Sequence, residues 1–189
     1  KKCYKKEILV KMLEKRFESA PSSKTAITLA KYFSNKQNKT KALSFFDKAI
    51  TLEKDSSELE KHLIKKAKFQ NNTSNYSGAR TTANKIIKLN PRAAKAYLII
   101  GNSIIYGSPN CKSLTFGGAE VFWVAVDYFN KAARLAKEPK TKAKALEKAD
   151  KYSAYFPAKN AIFLKSLNPG DSYEVKCWIN ASTTIREKK

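Results

Sequence analysis

Residues 94–107, Ala-Lys-Ala-Tyr-Leu-Ile-Ile-Gly-Asn-Ser-Ile-Ile-Tyr-Gly, decide how the chain folds. Tyr97, Ile100, Gly101 and Ile104 fall at helical spacing, with Gly101 leaving a gap in the middle of that stripe. A gap of this kind lets a second helix approach closely. The same device recurs upstream, where Ala30, Ala67 and Gly101 follow one another at intervals of 37 and 34 residues. Each is followed by a further small residue, Ala42, Ala79 or Ala125, after 12, 12 and 24 residues respectively. Small residues recurring at such a period predict stacked pairs of helices, a solenoid.

Apolar periodicity fills in the pairs. Ile8, Leu9, Met12, Leu13 and Phe17 predict a helix before the break at Pro21, and residues 1–22 read as the second helix of a truncated preceding repeat. The first full repeat carries Ala26, Leu29, Ala30 and Phe33 on one helix and Ala42, Phe46, Ala49 and Ile50 on the next. In the second repeat, Leu59, Leu63 and Ala67 are followed, after a loop over 71–77, by Ala79, Ala83, Ile86 and Ile87. The third repeat is interrupted over 106–118 and resumes with Phe122, Ala125, Phe129, Ala132 and Ala133. Three repeats thus span 23–138. A capping helix with Ala145, Leu146, Ala149 and Tyr152 opens the remainder, 139–189. Beyond the turn Asn168-Pro169-Gly170-Asp171, the alternation of Tyr173, Val175, Cys177 and Ile179 predicts a β-hairpin or extended cap.

Composition narrows the function classes. The hydrophobic share of 42% excludes a disordered chain, and no run of about 18 apolar residues predicts a membrane span. The formal charge is +22, and only Arg16, Arg80, Arg92, Arg134 and Arg186 among the 38 basic residues are not lysine. Lysine provides a diffuse field that attracts acidic protein, nucleic acid or anionic lipid, whereas base-edge readout favours the planar fork of arginine. A lone His62 without a Cys-x-x-Cys pair predicts no zinc site, and Gly117-Gly118 lacks the Gly-Lys-Ser/Thr of a phosphate loop. No histidine dyad is legible around His62. The expectation is therefore a non-enzymatic protein without a cofactor.

The pattern Tyr97, Ile100-Gly101, Ile104, echoed by Ala26, Leu29-Ala30, Phe33, resembles the tetratricopeptide repeat. The middle repeat fits least, with Lys66 and Gln70 in place of apolar residues. The resemblance implies an all-α, right-handed helical solenoid that binds partners along a concave groove lined by the first helix of each repeat. In that register the groove residues are Lys24, Ile27, Lys31 and Asn35, then Lys61, Ile64, Lys65, Lys68 and Asn72, then Lys95, Leu98, Asn102 and Tyr106. Lysine and asparagine there can hold carboxylates or an extended backbone, while Ile64, Leu98 and Tyr106 can seat side chains. The expected partner is a protein presenting an acidic or extended segment; a nucleic acid is the second reading.

The C-terminal segments Phe122-Trp-Val-Ala-Val-Asp-Tyr-Phe129, Tyr155-Phe156-Pro157, Gly170-Asp-Ser-Tyr173 and Cys177-Trp-Ile-Asn180 are similar to exported tetratricopeptide proteins of Bacteroidetes-type bacteria. That resemblance implies a periplasmic location, with the cytoplasm as the alternative, and membership of an envelope complex. It also implies a disulfide between Cys111 and Cys177, against the alternative of two reduced thiols; Cys3 would then be unpaired. Trp123, Tyr128, Phe129 and Trp178 read as core rather than as stacking platforms for sugars or bases. Asp127, inside an apolar stretch, is expected to cap or to pair with a nearby lysine or backbone group.

Overall fold

The computed structural model describes residues 2–111 and 114–188, with side chains from Glu7 onward. Cys3 therefore lies outside the residues whose side chains are described. The architecture is the all-α, tetratricopeptide-like one predicted, closed by a two-stranded β-hairpin. It comprises two compact units, residues 1–69 and 70–189.

In the first unit, α1 (Lys2–Ser19), α2 (Ser23–Asn35) and α3 (Lys39–Leu52) precede α4 (Ser56–Asn72). Pro21 and Ser22 separate the first two: Ser22 accepts from the Thr25 amide and caps α2. Asn38 caps α3 in the same way through Lys41. Gln37 turns the chain between them at φ 56°. Ala26, Leu29, Ala30 and Phe33 are buried against Ala42, Phe45, Phe46 and Ala49, and the Phe33 and Phe45 rings stack at 5.6 Å. In α1 the expected stripe is only partly the buried one. Val10 and Phe17 enter the core, whereas Ile8, Leu9 and Met12 are exposed.

In the second unit, α5 (Tyr76–Leu89), α6 (Ala94–Gly107), α7 (Val121–Leu135) and α8 (Pro139–Ser153) pack in succession. Gly101 of α6 is where that packing is tightest. A Cβ at this position would stand 2.4 Å from Cε1 of Phe129, a ring with no solvent exposure. Ala30, Ala42, Ala67, Ala79 and Ala125 are likewise fully buried. The polar residues that blurred the middle repeat also have partners. Lys66 pairs with Asp47, Gln70 accepts from Thr82 at 2.7 Å, and buried Asn71 joins Ser103 and the Ile99 carbonyl. Hydrogen bonding stands in for apolar contact at these points. Asn71, expected in a loop, lies in the last turn of α4.

The interruption holds a 3-10 turn, Ser108–Cys111, and the tight turn at Gly117 and Gly118. Glu120 is fully buried there; its carboxylate accepts from the amides of Phe116 and Gly118. A five-residue helix, α9 (Lys159–Phe163), was not evident from the sequence. It precedes β1 (Ser172–Val175) and β2 (Ala181–Thr184), which pair antiparallel with Ser172 opposite Thr184. Several bonds hold this hairpin to the helices. Cys111 and Cys177 form a disulfide across 66 residues with Cα atoms 5.8 Å apart. Trp178 donates to the Gly107 carbonyl at 3.1 Å, and Arg80 donates to that of Ile179. Asp127 finds Arg186 at 2.8 Å and the Thr183 hydroxyl at 2.5 Å.

Two outcomes follow. Gly101→Ala should lower the unfolding free energy by about 1 kcal/mol in urea titration, because overpacking of ~1–3 kcal/mol outweighs a helix-propensity gain of just under ~1; a more stable variant would contradict the packing. Replacing both Cys111 and Cys177 by serine should cost roughly 4 kcal/mol by the chain-entropy argument. Three titratable thiols in the freshly isolated, denatured native protein would show that the bridge does not form.

Candidate binding faces

The predicted groove residues divide between the two units, and each set has its own environment. In the first unit, Lys24, Lys31, Asn35, Lys61 and Lys68 are exposed, and Ile64 and Lys65 are half-buried. Ile27 is buried at 6% exposure and belongs to the core. Lys65 has the most constrained charge of this set. Burial, then the positive charges of Lys31 on α2 and Lys61 on α4, lower its pKa below the usual lysine value, against an opposing pull from Glu58. Glu58 is itself bonded to Lys61 at 2.6 Å. Among the described residues no carboxylate forms an ion pair with Lys31 or Lys65. Unrelieved positive charge on a half-buried ammonium favours any anion that can reach it.

In the second unit, Asn72 is exposed and Asn102 half-buried. Two expectations are corrected here. Leu98 is 8% exposed and packs into the core, so it cannot seat a partner's side chain. Lys95 is already paired with Glu138 at 2.8 Å, whose pKa it lowers. Tyr106 is 48% exposed. It lies beside Tyr152 of α8, whose hydroxyl pKa is raised by burial and then by Tyr106 and Tyr155. Phe122 stacks between Tyr152 and Tyr155 with centroids at 6.1 and 5.1 Å.

Lysines border these rings. Lys148 stands 5.7 Å from the Phe129 centroid and 5.9 Å from that of Tyr152. Burial, then Lys144 and Lys151, lower its pKa. This half-exposed aromatic and cationic face was missed in the sequence, where Tyr152 read as part of the apolar stripe of the capping helix and Lys148 carried no assignment. The i, i+4, i+7 spacing of Lys148, Tyr152 and Tyr155 was the available signal. Trp123 and Phe129, by contrast, are fully buried, and Trp178 is half-buried over Gly107.

The structure also assembles a cluster around His62, correcting the expectation that this histidine has no catalytic-type neighbours. Ser23 donates to Glu53 at 2.6 Å and lies 2.9 Å from Nε2 of His62, itself 3.4 Å from Glu53. With its own proton directed at Glu53, the hydroxyl accepts from Nε2–H, leaving Nδ1 buried without a partner. A hydrolytic triad places imidazole between nucleophile and carboxylate so that the base is oriented for proton removal. Here the hydroxyl occupies the middle place and no carboxylate orients Nδ1. Glu53 also accepts from the amides of Lys54 and Asp55. The cluster is a staple joining the start of α2, the end of α3 and the body of α4.

Burial, then the charge of Lys65, lower the His62 pKa below 6.5, despite opposing pulls from Glu53 and Glu58. Just below pH 6.5 the unfolded chain therefore binds a proton that the folded chain refuses. Stability should fall as pH drops through the unfolded value towards the lowered folded value, then level off. Glu53, lowered chiefly by the Ser23 hydroxyl, adds its own loss only below about pH 4.5. Urea midpoints at pH 7.5 and 5.5 should separate more for the native protein than for His62→Gln. Equal separation would contradict this reading.

No family model and no curated protein matches the chain. Among solved structures, it is similar to the MamA RS-1 ArsTM double mutant at 15% identity, with 80% of this chain and 88% of that one covered and a TM-score of 0.47. It is similar to MamA 41-end from Desulfovibrio magneticus RS-1 at 15% identity, 80% and 87% coverage and a TM-score of 0.47. A superposition at that level carries no argument about activity or partner. The tetratricopeptide-like fold assignment rests on the packed helix pairs themselves.

Proposed function

We propose that the protein is a non-enzymatic interaction scaffold whose first-helix faces dock an extended, acidic segment of a partner protein. One observation carries this reading: Lys65 is half-buried beside Lys31 and Lys61, with no carboxylate of its own among the described residues. A glutamate or aspartate brought there would raise the lysine pKa back and gain a charge-assisted hydrogen bond. Lys24 and Lys68 extend the basic lining, and Asn35 offers donors to an extended backbone. The rings of Tyr106, Tyr152 and Tyr155 with Lys148 form a second patch, suited to an apolar or aromatic anchor flanked by acid. Asn72 and Asn102 complete the proposed set. The Cys111–Cys177 bridge favours an oxidising compartment such as the periplasm, where an envelope complex would supply the partner.

Nucleic acid is the competing partner, favoured by the +22 charge. Salt separates the two, since counterion release makes nucleic-acid affinity fall steeply while a partly apolar peptide complex weakens modestly. A labelled peptide alternating glutamate with phenylalanine and proline should bind at least about tenfold less tightly to Lys31→Glu/Lys65→Glu than to the native protein, roughly 1.4 kcal/mol. Unchanged affinity would overturn the assignment of Lys65. Binding of a single-stranded oligonucleotide in preference to the peptide, with a steep salt slope, would favour the competing reading.

A further inference from the structure

Phe163 and Leu164 are 76% and 79% exposed, the two most exposed large apolar side chains among the described residues. They are held out by a closed turn. Ile162, one residue earlier, is fully buried and anchors α9. The Ser166 amide donates to the Phe163 carbonyl at 2.9 Å, and Ser166 itself adopts φ 55° to end the helix. Leu164 and Lys165 likewise donate to the carbonyls of Asn160 and Ile162. Such a turn fixes the backbone that carries the two apolar side chains.

In sequence, the segment between Asp150 and Asp171 carries charge of one sign. Residues 151–170 contain Lys151, Lys159 and Lys165 and no acidic residue. Lys159 and Lys165 bracket the apolar pair, and both are exposed. Beside Leu164 lies an open recess of about 410 Å3 whose walls include Phe116, Ala119, Pro157 and Ala161. Two protruding apolar side chains between lysines fit a medium that closes around the former and presents anions to the latter. Lysine stems can lie along the acyl region while their ammonium groups stay among the headgroups.

We infer that the α9 turn is a membrane-docking wedge, with Phe163 and Leu164 entering the interfacial region of an anionic bilayer and Lys159 and Lys165 pairing with its headgroups. Charge complementarity selects the lipid, and the apolar pair provides the part of the affinity that survives salt. This wedge is independent of the peptide-binding faces.

Co-sedimentation of the full chain tests it, using phosphatidylcholine vesicles with and without phosphatidylglycerol. Binding should require phosphatidylglycerol. Phe163→Ser/Leu164→Ser should lower the partition coefficient about tenfold or more while leaving the acidic-peptide affinity and the thermal midpoint unchanged. Phe163→Trp should show added emission that shifts blue on binding and is quenched by brominated acyl chains. Three results would overturn the inference: no binding to anionic vesicles, equal binding by the serine variant, which would assign attachment to diffuse charge elsewhere, or an added indole emission in Phe163→Trp that lipid leaves unaffected. Self-association lost in the serine variant without any change in vesicle binding would assign the patch to a second copy instead.

Discussion

The close approach of helices across positions without bulk is the constraint on which the other features rest. It is plainest at Gly101, where the Phe129 ring occupies the volume that any side chain would need. A Cβ 2.4 Å from that ring would push it or the helix away, and protein interiors packed at crystal-like density have little slack to absorb the shift. The fully buried alanines at 30, 42, 67, 79 and 125 meet the same requirement with one methyl group each. Glycine in a helix costs conformational entropy, so its place in α6 is explained by the ring opposite and not by local preference.

Close packing has an electrostatic consequence. Bringing α2 and α4 near enough for Ser23 to reach His62 also brings Lys31 near Lys65. The chain has far fewer acidic than basic residues, and the local carboxylates are committed: Glu53 to Ser23 and its own capping amides, Glu58 to Lys61. Lys31 and Lys65 are therefore without an ion-pair partner among the described residues. The second unit repeats the logic with Lys144, Lys148 and Lys151 bordering aromatic rings. A fold that retains such a charge excess loses some stability through self-repulsion.

Much of the fold was legible because its causes are local or periodic. Small residues recurring every 34–37 residues, Pro21 and the Asn168–Asp171 turn mark the helix pairs and the hairpin without reference to anything distant. What escaped depends on contacts across the chain. Gln70 and Lys66 looked like defects until Thr82 and Asp47 appeared opposite them. Ser23, Glu53 and His62 meet only because three helices converge. Buried Glu120 accepts hydrogen bonds from amides of its own loop, a backbone arrangement that side-chain patterns do not encode. For the proposed binding faces, helical register placed Lys31 and Tyr106 at exposed positions but could not show that Leu98 turns inward or that Glu138 would pair with Lys95.

The account turns on the protonation of one ammonium group, and that group can be observed directly. Lysine side chains labelled with carbon-13 at Cε, assigned through Lys65→Arg and titrated by NMR, report each pKa in the folded protein. Lys65 should titrate below the usual lysine value, and saturating acidic peptide should move it upward. A Lys65 that titrates at the usual lysine value, and does not respond to the peptide, would contradict the claim that this fold holds an unsatisfied positive charge for a partner.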